Sequence, residues 1–120
     1  MIQSVTNTRT GNGTMYLGTR VLGRILAVKV VAGAVTASFD LTLTGETTSI
    51  PILIDLSATA SATTWYHPRA FATQNTDGGA ASDAFVEIPI LNERIKCVIA
   101  NAGTTKDVAV TVIYETASPY

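Results

Sequence analysis

One residue in three of this chain is branched at its β-carbon: 19 Thr, 11 Val and 10 Ile among 120 residues. A second heavy atom on Cβ crowds the preceding turn of a helix but stands comfortably on a pleated strand. No long stretch repeats apolar residues at intervals of three and four, the spacing an amphipathic helix requires. The composition therefore predicts an all-β chain. The expected form is a single-domain antiparallel β-sandwich or jelly-roll-like barrel of about eight strands. A chain of 120 residues makes one domain, 1–120, and buries a single core without staples.

The strands are legible one by one. Gln3 to Arg9 reads as the first, ended by Thr10-Gly11-Asn12-Gly13, a turn that predicts a hairpin return along Thr14 to Leu17. Arg20 to Val31 becomes almost continuously apolar in its second half, the mark of a strand covered on both faces. Phe39 to Thr44 alternates cleanly, which puts Phe39, Leu41 and Leu43 in the core and Asp40, Thr42 and Thr44 toward water. Ser49 to Leu56 carries Pro51, which cannot donate to a ladder and so marks an edge strand or a strand start. Ser57 to Thr63 reads as a linker, Gln74 to Asp83 as a surface loop, and Phe85 to Ile88 as a short strand ended by Pro89. Glu93 to Ala100 and Val108 to Glu115 both alternate, and Ile95 to Val112 is expected to form an antiparallel hairpin.

Charge and chemistry narrow the function. Eight Lys and Arg against nine Asp and Glu leave a formal charge of −1, with the basic residues scattered rather than gathered in a stripe. A nucleic-acid partner, which is held by clustered cations, is not expected. No apolar run reaches the roughly 18–20 residues that span a bilayer. The first residues lack the features of a signal peptide, so a soluble product of the cytoplasm without a membrane partner is expected.

The lone histidine, His67, precedes Pro68, and no Gly-x-Ser-x-Gly elbow accompanies it. Cys97 alternates with Ile95 and Ile99 and reads as a buried structural thiol. One His and one Cys cannot build a zinc site. Asn75, Asp77 and Asp83 around Gly78-Gly79 offer oxygen ligands, but the spacing is not a calcium loop, and a solvated polar loop is the better reading. A carboxylate pair would have to come from Asp40, Glu46, Asp55, Glu87, Glu93 or Glu115, several of which fall on solvent faces of strands. Gly11-Asn12-Gly13 lacks the helix that a phosphate loop needs. The expectation is a protein with no cofactor and no catalysis.

Trp65 and Tyr66, neighbours on a strand, must point to opposite faces. Either Trp65 fills the core and Tyr66 faces out, or Trp65 is an exposed anchor for a protein–protein contact with Arg69 beside it. His67 suits both. The residues expected at an interface are Trp65, Tyr66, His67 and Arg69, with Tyr120 at the chain end. The arm at residues 1–10 and the tail at 116–120 are both expected to lie against partner chains.

Several segments together resemble a group of small virion proteins of tailed bacteriophages. They are Gly23-Arg24-Ile25-Leu26-Ala27-Val28-Lys29, Leu41-Thr42-Leu43-Thr44-Gly45-Glu46-Thr47, Thr64-Trp65-Tyr66-His67-Pro68-Arg69-Ala70, Asp77-Gly78-Gly79-Ala80-Ala81, Glu93-Arg94-Ile95-Lys96 and Val112-Ile113-Tyr114-Glu115. The resemblance implies a structural component of the particle, foremost a capsid decoration (cement) protein. Its partners would be the major capsid protein and further copies of itself in a homotrimer, on the outer head surface. It transfers no functional residues. A tail, head–tail connector or fibre-base protein is the alternative within the virion, and a carbohydrate-binding β-sandwich the alternative outside it.

Overall fold

The computed structural model describes residues 1–32, 39–58, 63–73, 80–102 and 107–116. These residues form nine antiparallel strands and no helix. They are β1 (Ile2–Thr10), β2 (Gly13–Ala32), β3 (Phe39–Gly45), β4 (Pro51–Ala58), β5 (Thr63–Tyr66), β6 (Arg69–Thr73), β7 (Ala80–Glu87), β8 (Pro89–Ala100) and β9 (Asp107–Thr116). Six of them run side by side in the order β1-β9-β2-β8-β3-β4, β5 adds to β2, and β6 and β7 make a separate ribbon.

The 20-residue strand β2 organises the molecule. Its first part, Gly13 to Arg24, pairs with β8, and its second part, Gly23 to Ala32, pairs with β9. Because β9 occupies one edge of that second part, β5, paired to Val28–Val31, must lie on the other. The sheet thus has two wings that share one strand. Both wings turn their apolar residues into one core: Met15, Leu17, Val21 and Ile25 of β2 meet Ile95, Cys97 and Ile99 of β8 and Val108, Val110 and Val112 of β9. Each such aliphatic side chain contributes about 1.5–3 kcal/mol on full burial. The shortest dimension, 23 Å, suits two sheet layers about 10 Å apart with their outward side chains.

Sharing one strand requires β2 to change direction. The ladder with β8 slips between Leu17 and Val21 and again at Leu22, and the ladder with β9 slips between Ile25 and Ala27. Inward positions are odd-numbered through Ile25 and even-numbered from Val28. The apolar run Leu26–Val31 is therefore a phase change at a bulge, and not a strand covered on both faces: Lys29 and Val31 look outward and are half-buried. Gly23, where both ladders meet, has φ +153°, and a Cβ there would collide with the carbonyl oxygen of Glu115.

Several sequence expectations need correcting. β8 and β9 form no hairpin, because β2 lies between them. The turn at Gly11 and Asn12 is present, but β1 leaves it to pair along all nine residues with β9 instead of β2. Thr14–Leu17 and Arg20–Val31 are parts of one strand. Pro89 opens β8 instead of closing β7, and Ala80–Asp83 belong to β7 instead of a loop. Ser57 and Ala58 continue β4, and Thr63 opens β5. Asp40, Thr42 and Thr44 are half-buried. Of the two ends expected against partner chains, the arm at 1–10 pairs along one edge with β9, and residues 117–120 of the tail lie outside the described residues. Pro51 does open an edge strand, β4, and Phe39, Leu41 and Leu43 are buried as expected.

Replacing Gly23 by Ala should remove about 3 kcal/mol of stability, since the new methyl meets backbone in a region of φ that L side chains avoid. Denaturant unfolding followed by far-ultraviolet circular dichroism measures it, and an unchanged midpoint would contradict this account of the bend.

Candidate interaction surface

β5 is four residues long, and its sequence Thr-Thr-Trp-Tyr sits at the free edge of one wing. Strand alternation turns Tyr66 inward, where it packs half-buried against the core, and Trp65 outward, 48% exposed. The core-Trp alternative is thereby corrected: the register with β2 sets Tyr66 beside buried Val28 and Trp65 beside outward Lys29. The Lys29 ammonium lies 5.7 Å from the Trp65 ring centroid, a cation–π contact that limits the ring's freedom. The cross-strand partners run on from Trp65 through Lys29 and Thr111 to Thr6, a row across four strands in which Thr111 donates to Thr6 at 2.9 Å.

His67 is exposed beyond the strand end, and Pro68 is buried. The Arg69 guanidinium donates to the carbonyls of Pro68 at 2.7 Å and Leu26 at 3.3 Å, pinning the β5–β6 corner to β2. Trp65, His67 and Arg69 are thus presented to solvent, while Tyr66 packs against the core. Tyr120 lies outside the described residues, as do Asn75, Asp77, Gly78 and Gly79. Among the described residues no cluster of three His, Cys, Asp or Glu could hold a metal. Cys97 is buried, and desolvation pushes its thiol up to about 12.

Sequence reasoning missed a second feature, on the other wing. Glu93 is the only buried charged residue among those described, 2% exposed. Its Oε1 accepts from the Thr47 and Thr48 amides at 2.8 and 3.0 Å, and its Oε2 from the Thr48 hydroxyl at 2.8 Å. The carboxylate therefore caps the β3–β4 turn from inside. Burial alone would raise its pKa; the hydrogen bonds from Thr48 and Thr47 outweigh that and hold it below the usual carboxylate range. The signal was available, because Glu93 shares the parity of Ile95, Cys97 and Ile99.

Beside it the Arg94 fork grips Glu46 through Nε and Nη2 at 2.5 and 2.8 Å and lies 4.0 Å from the Tyr16 ring centroid. The hydrogen bond from Arg94 keeps the Glu46 carboxyl low. Gly18, Thr19, Arg20, Glu46, Thr47, Glu93 and Arg94 line a cleft of about 500 Å³.

No family model matches this chain, and no curated protein matches it. Its fold is similar to that of a chain in the cyanophage Pam1 capsid asymmetric unit, with a TM-score of 0.55 at 11% identity. The match covers 97% of this chain and 85% of that one.

Glu93→Ala should cost about 3 kcal/mol by leaving three donors without an acceptor. Because folding lowers the Glu93 pKa, its contribution is complete above the unfolded value of about 4.3 and is lost as pH falls below it. Urea midpoints measured from neutral pH down to about pH 3 should fall less steeply in Glu93→Gln than in the parent; equal slopes would count against the carboxylate's role.

Proposed function

We propose that this chain is a structural protein of a bacteriophage virion, and within it a capsid decoration (cement) protein. It binds the outer head surface as a homotrimer, joins neighbouring major capsid subunits and performs no catalysis. The observation that carries this reading is the likeness of fold to a chain of the cyanophage Pam1 capsid asymmetric unit across 97% of the present chain. The bacteriophage resemblance of segments such as Thr64–Ala70 points the same way. An exposed Trp65 on a sheet edge, braced by Lys29, is the kind of anchor that dominates protein–protein contacts.

The mechanism is linkage. A ligand that binds the assembled lattice and not its dissociated subunits stabilises the lattice by its own binding free energy, about 2.7 kcal/mol at a hundred times Kd. Three joined copies gain further from effective concentration. The buried core and paired strands supply a body that loses little freedom on docking.

Cryo-electron microscopy of virions from the phage that encodes the chain should show it in three-fold clusters over the head. Rings at a vertex or along the tail would make it a connector or tail protein, and its absence from purified particles would overturn the virion role. Trp65→Ala should weaken binding to stripped heads at least about tenfold, or about 1.4 kcal/mol, with an unchanged unfolding temperature.

A further inference from the structure

A sheet edge offers its unpaired N–H and C=O groups to any extended chain, and native proteins blunt it with proline, charge, bulges or brevity. Here β4 opens on Pro51 and its ladder with β3 slips twice, and β5 is four residues long. β1 has none of these devices. Its nine residues, Ile-Gln-Ser-Val-Thr-Asn-Thr-Arg-Thr, run against β9 without a register shift, contain no proline and carry one charge, Arg9. That charge is drawn back to its own turn, since Arg9 Nε and Nη2 donate to the Asn12 carbonyl at 3.1 and 2.9 Å.

The groups that the edge leaves open can be named. The Thr116 amide donates to the Met1 carbonyl at 2.9 Å, which together with the register makes Met1, Gln3, Val5, Asn7 and Arg9 the residues bonded to β9. Ile2, Ser4, Thr6 and Thr8 therefore turn their backbone groups to the other edge. There the Thr8 amide is already taken by Asn7 Oδ1 at 2.8 Å, and among the described residues no backbone bond reaches Ile2, Ser4 or Thr6. The strand is held in place from its inner side: Val5 Cγ1 leaves no room for a Cβ on Gly18, and Asn7 Nδ2 donates to the Tyr16 carbonyl at 2.9 Å. An edge already fixed in extended form loses little freedom on pairing.

We propose that Ile2–Thr6 is a docking edge for a second copy of this chain, the two β1 strands pairing antiparallel about a two-fold axis at Ser4. In that register Ser4 faces its own counterpart, Ile2 faces Thr6 on either side, and the three open amides of each strand meet the three open carbonyls of the other. The occupant follows from the match. The edge is its own complement, its five residues bring no like charges together across the axis, and Ile2, 65% exposed, gains cover from a Thr side chain. A two-fold contact here uses no part of the Trp65 surface, so it stands or falls apart from the virion reading.

Sedimentation velocity of the full chain over a concentration series, with amide NMR on the same samples, tests it. A reversible dimer is expected, with concentration-dependent shifts at Ile2, Ser4 and Thr6. Ser4→Pro deletes an outward amide that β9 does not use, and should weaken the dimer about tenfold at an unchanged unfolding temperature. Ser4→Lys should weaken it roughly fivefold by setting two ammonium groups face to face, and mixing Ser4→Lys with Ser4→Glu should restore it. A chain still monomeric at about 1 mM, association undiminished in Ser4→Lys, no recovery in the mixture, or shifts that spare Ile2–Thr6 would each overturn the proposal.

Discussion

The bend of β2 governs this molecule. A single strand serves two wings only if it turns, and it turns at Gly23, where β8 and β9 flank it on opposite edges and no side chain is tolerated. The bulges on either side change which residues face inward, so one strand feeds one core from both directions. Without that turn, the apolar faces of β8 and β9 would look away from each other.

The same bend places the surface features. One bulge arches Gly18–Arg20 away from β8 and opens the polar cleft over Glu93. The other shifts the phase of β2, so that Lys29 looks outward and Trp65 of β5 lies beside it. The buried Glu93 carboxylate and the Arg94–Glu46 pair then stiffen the β3–β4 turn. The result is a body whose buried side-chain polar atoms, among the described residues, all have partners and whose Trp65 ring stands exposed on β5.

Much of the fold was legible because strand alternation is a local property. Phe39, Leu41 and Leu43, and likewise Ile95, Cys97 and Ile99, are buried as their spacing demands. The errors lie elsewhere. A turn at Gly11-Asn12 suggests a hairpin, but a turn reverses the chain without choosing its partner, and β1 gains a longer, uninterrupted ladder against β9. The choice between Trp65 and Tyr66 was left open by alternation alone, since a period of two separates neighbours without saying which side is the core.

The β-branched composition and the two-residue period determined by themselves that this chain is a pleated domain in which Phe39, Leu41 and Leu43 share one face and Ile95, Cys97 and Ile99 another, because both act through each residue's own backbone preferences. Which strands lie side by side, where β2 breaks its register, and which charges meet around Glu46 and Glu93 were decided only by the tertiary structure. Those outcomes depend on contacts between residues far apart in the chain, such as Gly23 with Glu115 and Thr48 with Glu93, and no local pattern encodes them.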